Sequence, residues 1–252
     1  MENIYGKVWL IGAGPGDLEL LTLKAVRVLA SADVLIVDAL VDPDIVSFAP
    51  RARVVTTGKR AGCRSAPQDF IQRLMRRYAR QGKTVARVKG GDPLLFGRAG
   101  EEIAYLAEHG IEVELVNGVT SALAAAASLT VSLTHRDFGA SGVTFVTAHR
   151  QDHSAPDWAA LAAAGTTLAI YMGLNRVCEV AEGLLAALPA STPAAVVACA
   201  STPAERRLVT TLGQLAAACH AAKMPAPALI LVGAALASAS AGEDLPEGLA
   251  VA

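Results

Sequence analysis

The chain has 252 residues, 53% of them hydrophobic and 18% charged, which excludes a disordered protein and suits one large domain or two modest ones. Much of the apolar fraction is alanine, and the longest uncharged stretch, Leu115 to Thr134, carries Asn, Ser and Thr, so no membrane span or membrane partner is expected. Glu2 stands where a signal peptide wants basic residues, and Gly12 to Asp17 break its apolar run, which makes the cytoplasm the expected location.

The net charge of −1 hides an asymmetry: residues 51 to 90 hold twelve Lys or Arg and one acid, Asp69. Such a local excess suggests a polyanionic partner. Aromatic residues are only 4% and no nucleic-acid-binding signature is present, so nucleic acid is not expected. The cysteines, Cys63, Cys178, Cys199 and Cys219, are scattered and read as free thiols. His149 and His153 lie in a polar stretch and read as structural or solvent-facing, so no metal is expected.

In chain order, short apolar runs alternate with longer periodic ones, the pattern of an α/β protein with mostly parallel sheet. Val8 to Gly12 predicts a strand, Glu19 to Ala30 a helix, and Val34 to Val37 a strand ending at Asp38. Residues 66 to 80 predict a helix with Phe70, Ile71, Leu74, Met75 and Tyr78 on one face and arginines on the other, opened by a capping box at Ser65 and Gln68. The bases before it, Arg51, Arg53, Lys59, Arg60 and Arg64, occupy a turn-rich segment and read either as ligand contacts or as a solvated patch. Strand Val85 to Lys89, helix Ala99 to Glu108, strand Val113 to Val116 and a small-residue helix from Thr120 follow. Thr134 to Ser141 reads as a hinge. The alternation then restarts, with strands at Val143 to Thr147, Thr167 to Met172, Ala195 to Cys199, Leu208 to Thr211 and Leu229 to Val232, and helices near 157–163, 176–187 and 213–221. Residues beyond Gly233 read as a mobile end.

Two phosphate-loop look-alikes fail on spacing. Gly12-Ala13-Gly14-Pro15-Gly16-Asp17 has Asp17 where a dinucleotide turn needs its third glycine, and Pro15 removes a backbone donor. Gly82-Lys83-Thr84 lacks the glycine a P-loop needs at Arg77. The strong signal is Lys89 to Arg98, KGGDPLLFGR, running from a predicted strand into a helix. Gly90 and Gly91 let backbone approach a ligand, and Asp92 can accept hydrogen bonds or face a cation. Arg98 and Glu101, three apart, read on their own as a structural ion pair.

Taken together, GAGPGD, VKGGDPLLFGRAGEE, VNGVTSALAAAASLTVSLTHRD, VTFVTAH, YMG and PALILVG resemble the tetrapyrrole methylase family in order and spacing, over about residues 5 to 233. The resemblance implies two α/β domains, 1–136 and 137–240, with a cofactor cleft between them, a mobile tail over 241–252, and a homodimer. It implies S-adenosylmethionine as methyl donor, lined by Pro15, Gly90, Gly91, Asp92, Leu95, Thr120, Ser121, Met172 and Ala200. The implied reaction is C-methylation of uroporphyrinogen III at C2 and C7 to give precorrin-2; methylation of a later precorrin and binding without turnover are the alternatives.

The carboxylates of such a substrate offer a partner for the basic stretch, since arginine pairs with carboxylates bidentately. The resemblance further implies Asp38 as proton acceptor and Lys59 as proton donor, catalytic positions at Arg98 and Glu101, and substrate contacts at Arg136, Arg60 and His149. The alternative readings are a structural acid capping the following turn for Asp38 and a carboxylate contact for Lys59. Departures from the family pattern are Ala39 for an arginine, Asn117 for a proline, and Ala99 and Ala200 for glycines.

Overall fold

The computed structural model describes residues 5–57, 67–148 and 154–239, which divide into two compact units, up to Thr120 and from Ser121. The first contains, in chain order, β1 (Val8–Gly12), α1 (Leu23–Ser31), β2 (Val34–Val37), β3 (Arg53–Thr56), α2 (Gln68–Ala79), β4 (Val85–Lys89), α3 (Ala99–Glu108) and β5 (Val113–Val116). Its sheet is wholly parallel, in the order β3-β2-β4-β1-β5.

Both faces of that sheet are covered, as a parallel sheet requires. Ile11, Leu35, Val37, Ala86 and Val88 pack against Ala25, Val28 and Leu29 of α1. Val8, Leu10, Val34, Ile36 and Val85 face Ile71 and Met75 of α2 and Leu106 of α3. The helix expected from Glu19 starts later: Asp17 caps a short 3-10 turn through the amide of Glu19, and Thr22 caps α1 through that of Ala25. Ser65, the first member of the expected capping box, lies outside the described residues, and Pro67, which precedes α2, offers no side-chain cap. The helix begins at Gln68, whose side-chain amide donates to Glu102 at 3.0 Å. β3 was not expected from the sequence; it is an edge strand with mostly exposed side chains and lacks the apolar alternation that marks a half-buried strand.

The second unit contains α4 (Ser121–Ser128), β6 (Val143–Thr147), α5 (Trp158–Ala163), β7 (Thr167–Tyr171), α6 (Val177–Leu185), β8 (Pro193–Ala198), β9 (Arg206–Thr211), α7 (Leu215–Ala221) and β10 (Ala228–Val232). Its sheet runs β6-β7-β10-β8-β9 and corrects the expectation of mostly parallel pairing. Only β6 and β7 pair in parallel, whereas β10 is antiparallel to both neighbours and β9 to β8. The connection 199–205 is too short for the crossover a parallel pair needs, so β9 returns as a hairpin.

Ala122, Ala125 and Ala126 of α4 lie on one face of this sheet against Ala169, Ala195, Val197 and Leu231. Trp158, Val180, Leu184, Leu215 and Cys219 cover the other. Burial, helped by nearby Cys178, pushes the Cys219 thiol up to about 11, so it stays an inert core residue at neutral pH. Past Gly233, Ala234–Ser238 form a 3-10 turn that buries Ala235 and Leu236, so the chain is anchored further than expected; residues 240–252 lie outside the described residues. Among the described residues no helix is long and apolar enough to cross a membrane, and no group of His, Cys, Asp or Glu could hold a metal ion.

Candidate active site

In the first unit α1 and α3 cover opposite faces of the sheet, so the chain leaving β1 and the chain leaving β4 diverge at neighbouring carboxyl ends. Such a switch point opens a crevice where α/β proteins bind ligands. Three loops meet there. Gly14 and Gly91 exchange backbone hydrogen bonds at 3.2 and 2.6 Å, and the amide of Ala13 donates to the carbonyl of Lys89 at 2.8 Å. Asp92 closes the junction: Oδ1 accepts from the amide of Leu94 at 2.8 Å, and Oδ2 from the Asn117 side chain and the Gly118 amide, each at 3.1 Å. Its carboxylate is therefore turned into the loops, and the Asn117 that departs from the family pattern supplies one of its donors.

The loops can approach this closely only because side chains are absent. A Cβ on Gly118 would stand 2.3 Å from the Gly91 carbonyl oxygen and 2.9 Å from Gly12. Gly118→Ala is expected to lower stability by about 1–3 kcal/mol through backbone overpacking, measurable by thermal denaturation. Gly91, at φ +66°, is different, since a Cβ there would meet only Thr120, at 3.9 Å. Its open side leaves backbone accessible to a ligand, with Pro15, Leu95 and Thr120 half-buried on the same three loops. Close backbone, a hydroxyl and apolar packing fit a zwitterionic nucleoside such as S-adenosylmethionine.

Beside the crevice lies a buried charged network. Side chains alternate along a strand, so Arg87 and Lys89 share the face of Val85, which α2 and α3 cover. Glu102 of α3, with no exposed surface, meets both: Arg87 Nε donates to Oε1 at 3.2 Å, and Lys89 Nζ lies 3.2 Å from each carboxylate oxygen. Arg87 Nη2 continues to Asp38 Oδ1 at 2.7 Å, and Thr57 Oγ1 stands 3.4 Å from the same oxygen. Asp38 Oδ2 has no partner among the described residues, and the side chain is 34% exposed. Burial, reinforced by the Arg87 charge, holds the Lys89 ammonium below the usual lysine range, against the pull of Glu102 and Asp38. Two of the twelve bases in the basic stretch are thus interior ions, neutralised locally and unable to meet a polyanion.

Arg98 adopts a left-handed conformation at the start of α3, φ 57°, and its guanidinium forks onto Glu101 at 2.8 and 2.7 Å. The ion pair read from the spacing is formed, half-exposed, and available to a competing carboxylate. The mutual hydrogen bonds push the Arg98 guanidinium up and hold the Glu101 carboxyl below its usual range.

In the second unit Ser121 opens α4, and the amide of Ala122 next to it donates to the Tyr171 hydroxyl at 3.2 Å, which ties α4 to the end of β7. Met172, just beyond, is exposed and left-handed at φ 55°. Ala200, after β8, is buried against the α4 cluster, between left-handed Cys199 and Ser201. Ser121, Met172 and Ala200 therefore lie at the end of this sheet where β7 and β8 finish. Glu205 fastens the loop there, accepting from the amide of Ser201 and the hydroxyl of Ser128 at 2.6 Å each, and from Arg207 at 2.8 Å.

Partial burial opposes ionisation of Glu205, but these donors outweigh it and leave its pKa below 4.5. A carboxylate with a depressed folded pKa stabilises above its unfolded pKa and loses that contribution as pH falls through the folded one. Glu205→Gln is expected to cost about 1 kcal/mol near neutral pH, with the gap to the parent closing in denaturation curves taken below pH 4.5. Arg136 is exposed on a loop closed by paired His135 and Ala140 backbones, with the His135 and Phe138 rings tilted against each other at 4.4 Å, beside an open recess lined by Thr134, Gly139 and Ser141.

Lys59, Arg60 and His149 lie outside the described residues. The sequence reading missed Arg87, Lys89 and Glu102 as a unit. Their signal was present: two cations two apart in a strand otherwise made of Val and Ala, in a sheet covered on both faces, demand a buried counter-ion.

The chain matches the family model of tetrapyrrole (corrin/porphyrin) methylases over residues 7–216. It is 54% identical over 229 residues to the uroporphyrinogen-III C-methyltransferase of Pseudomonas aeruginosa, covering 90% of this chain and 93% of the relative. It is 47% identical to the siroheme synthase of Chromobacterium violaceum, again over 90% of this chain but about half (49%) of that protein. Among solved structures, the uroporphyrin-III C-methyl transferase of Thermus thermophilus complexed with S-adenosylhomocysteine superposes with a TM-score of 0.78 at 41% identity, covering 90% of this chain and 97% of that one. A cobalt precorrin-4 methyltransferase gives 0.82 at 33% identity, covering 91% and 95%. The loop junction, the motifs it is built from and the extent of these matches converge, and the chain belongs to the tetrapyrrole methylase family.

Proposed function

We propose that this chain transfers methyl groups from S-adenosylmethionine to C2 and C7 of uroporphyrinogen III, forming precorrin-2 and S-adenosylhomocysteine, as a cytoplasmic homodimer. The observation that carries the reading is the 54% identity, over 90% of the chain, to the P. aeruginosa enzyme named for that C-methylation. The S-adenosylhomocysteine in the T. thermophilus complex supports the donor. The residues proposed for the donor are Pro15, Gly90, Gly91, Asp92, Leu95, Thr120, Ser121, Met172 and Ala200, with Asp92 contributing by holding its loops together.

When bound, S-adenosylmethionine supplies an electrophilic methyl on a sulfonium. The protein's part is alignment and proton handling. Open backbone at Gly91 and the glycine junction around it present a rigid edge for the donor, which favours a fixed approach of the ring carbon to the methyl. Arg98 and Arg136, both exposed, bind and orient substrate carboxylates, Arg98 by exchanging its Glu101 partner for them. Once the new carbon–carbon bond has formed, the ring must lose a proton, and Asp38 Oδ2 receives it. Lys59 is the proposed proton donor, with Arg60 and His149 as further substrate contacts.

Anaerobic incubation with uroporphyrinogen III and S-adenosylmethionine, following tetrapyrrole mass and S-adenosylhomocysteine together, tests the reading. Gain of two methyl masses with two equivalents of S-adenosylhomocysteine is expected. Methylation only of a later precorrin would favour the second reading, which the superposition on cobalt precorrin-4 methyltransferase supports. Donor binding with no methylation of either would leave a binding protein.

A further inference from the structure

The reading of Asp38 as proton acceptor leaves unexplained how one of its two oxygens is selected, and the buried network answers that. Arg87 sits on the central strand β4 with its guanidinium sealed from water. Nε is held by Glu102 at 3.2 Å, and Nη1 lies 3.4 Å from the carbonyls of Ile36 and Val88, so the fork is oriented from three sides before it reaches Asp38. Glu102 is itself fixed by Lys89 Nζ at 3.2 Å and Gln68 Nε2 at 3.0 Å. The remaining nitrogen, Nη2, takes Asp38 Oδ1 at 2.7 Å, the shortest contact of the network.

We propose that Arg87 is a positioning residue for methyl transfer: it pins Oδ1 of Asp38 and thereby presents Oδ2 to the proton the ring must lose, while Glu102 holds the guanidinium in register. This rests on the proposed function, and specifically on Asp38 as acceptor. A buried ion group kept only for stability would be replaceable by apolar residues of similar volume with little loss. Here replacement removes the alignment of an oxygen outside the network. Misalignment of a reacting group by about 1 Å costs up to roughly 100-fold.

The test uses the full chain and three variants, Arg87→Lys, Arg87→Met and Arg87→Met/Glu102→Met; in Arg87→Met, Glu102 keeps Lys89 and Gln68 as partners, while the double variant leaves the net charge of the network unchanged, and circular dichroism verifies the fold of each. S-adenosylhomocysteine affinity by calorimetry, KM for uroporphyrinogen III and kcat are measured for each. The expected result is a fall in kcat of about 10- to 100-fold in both methionine variants, with affinity and KM within about threefold of the parent, and partial recovery in Arg87→Lys. Parent-like kcat in the double variant would overturn the proposal, and so would a loss of S-adenosylhomocysteine affinity that matches the loss of turnover, since either assigns Arg87 to the fold alone. Asp38→Asn measured alongside separates the two layers. If it leaves turnover intact, the acceptor reading fails and the Arg87 proposal falls with it. If it lowers turnover while the Arg87 variants do not, only the positioning proposal fails.

Discussion

Asp38→Asn is expected to lower kcat by at least about 100-fold while leaving S-adenosylhomocysteine affinity within about twofold. The amide keeps the size of the carboxylate and an oxygen for Arg87 Nη2, now 2.7 Å from Asp38 Oδ1, so the local structure has no reason to rearrange. It replaces Oδ2, which has no other partner among the described residues, with a nitrogen that donates and cannot take a proton. The loss therefore falls on the chemical step. Single-turnover methyl transfer, quenched and read by tetrapyrrole mass, isolates that step from product release. A rate within about threefold of the parent would remove Asp38 from the proton path and return it to the structural-cap reading that its place after β2 also allows.

Glu102→Ala is expected to destabilise the protein by about 3–5 kcal/mol, the largest effect on folding foreseen here. Glu102 has no exposed surface and is the carboxylate that Arg87 and Lys89 share. Its removal leaves two cations in the interior with Asp38, which pairs with Arg87 and not with Lys89, as their remaining anion. Glu102→Gln, which keeps an oxygen for the donors but not the charge, should cost less. Denaturant unfolding followed by circular dichroism gives both values.

The pH dependence has a defined sign. Lys89 in the folded chain releases its proton at a lower pH than the ordinary lysine value of 10.5, so unfolding takes up a proton between those two values and this lysine's burial cost is relieved as pH rises through them. Glu102 favours the charged form, so its loss widens that interval. The variant should consequently regain part of its deficit relative to the parent on the alkaline side. An unchanged deficit across that range would mean that Lys89 finds another partner.

Most elements were legible before the structure because their signals are local. The strands β1, β2, β4, β5 and β6 coincide with the apolar runs read for them, and α3 with its periodic segment. β3 escaped because an edge strand buries too little to impose alternation. The start of α2 was misjudged for a related reason. The helix was read from residue 66, but Gln68 is its first residue, and the Gln68 amide donates to a buried glutamate on α3 that is far away in sequence. Of the site, the glycine loops were visible because the need for close backbone approach writes itself into residue type. The Arg98 and Glu101 pair was visible because three residues is one helical turn.

By itself, the sequence determined the α/β class and the basic stretch, and, through the resemblance of its motifs in order and spacing, the family and the residues expected at the donor site. Each follows from composition, periodicity or motif spacing, which are properties of short segments and their order. Only the tertiary structure decided which charges face water and which face one another. Arg87 and Lys89 counted equally with ten other bases in a surface-like basic stretch until α3 placed Glu102 over them. It also decided the antiparallel β10 at the centre of the second sheet, and the single oxygen of Asp38 left without a partner among the described residues. Strand order and ion pairing are set by contacts between residues distant in the chain, and the free energy of a buried charge depends on what stands within a few ångströms of it.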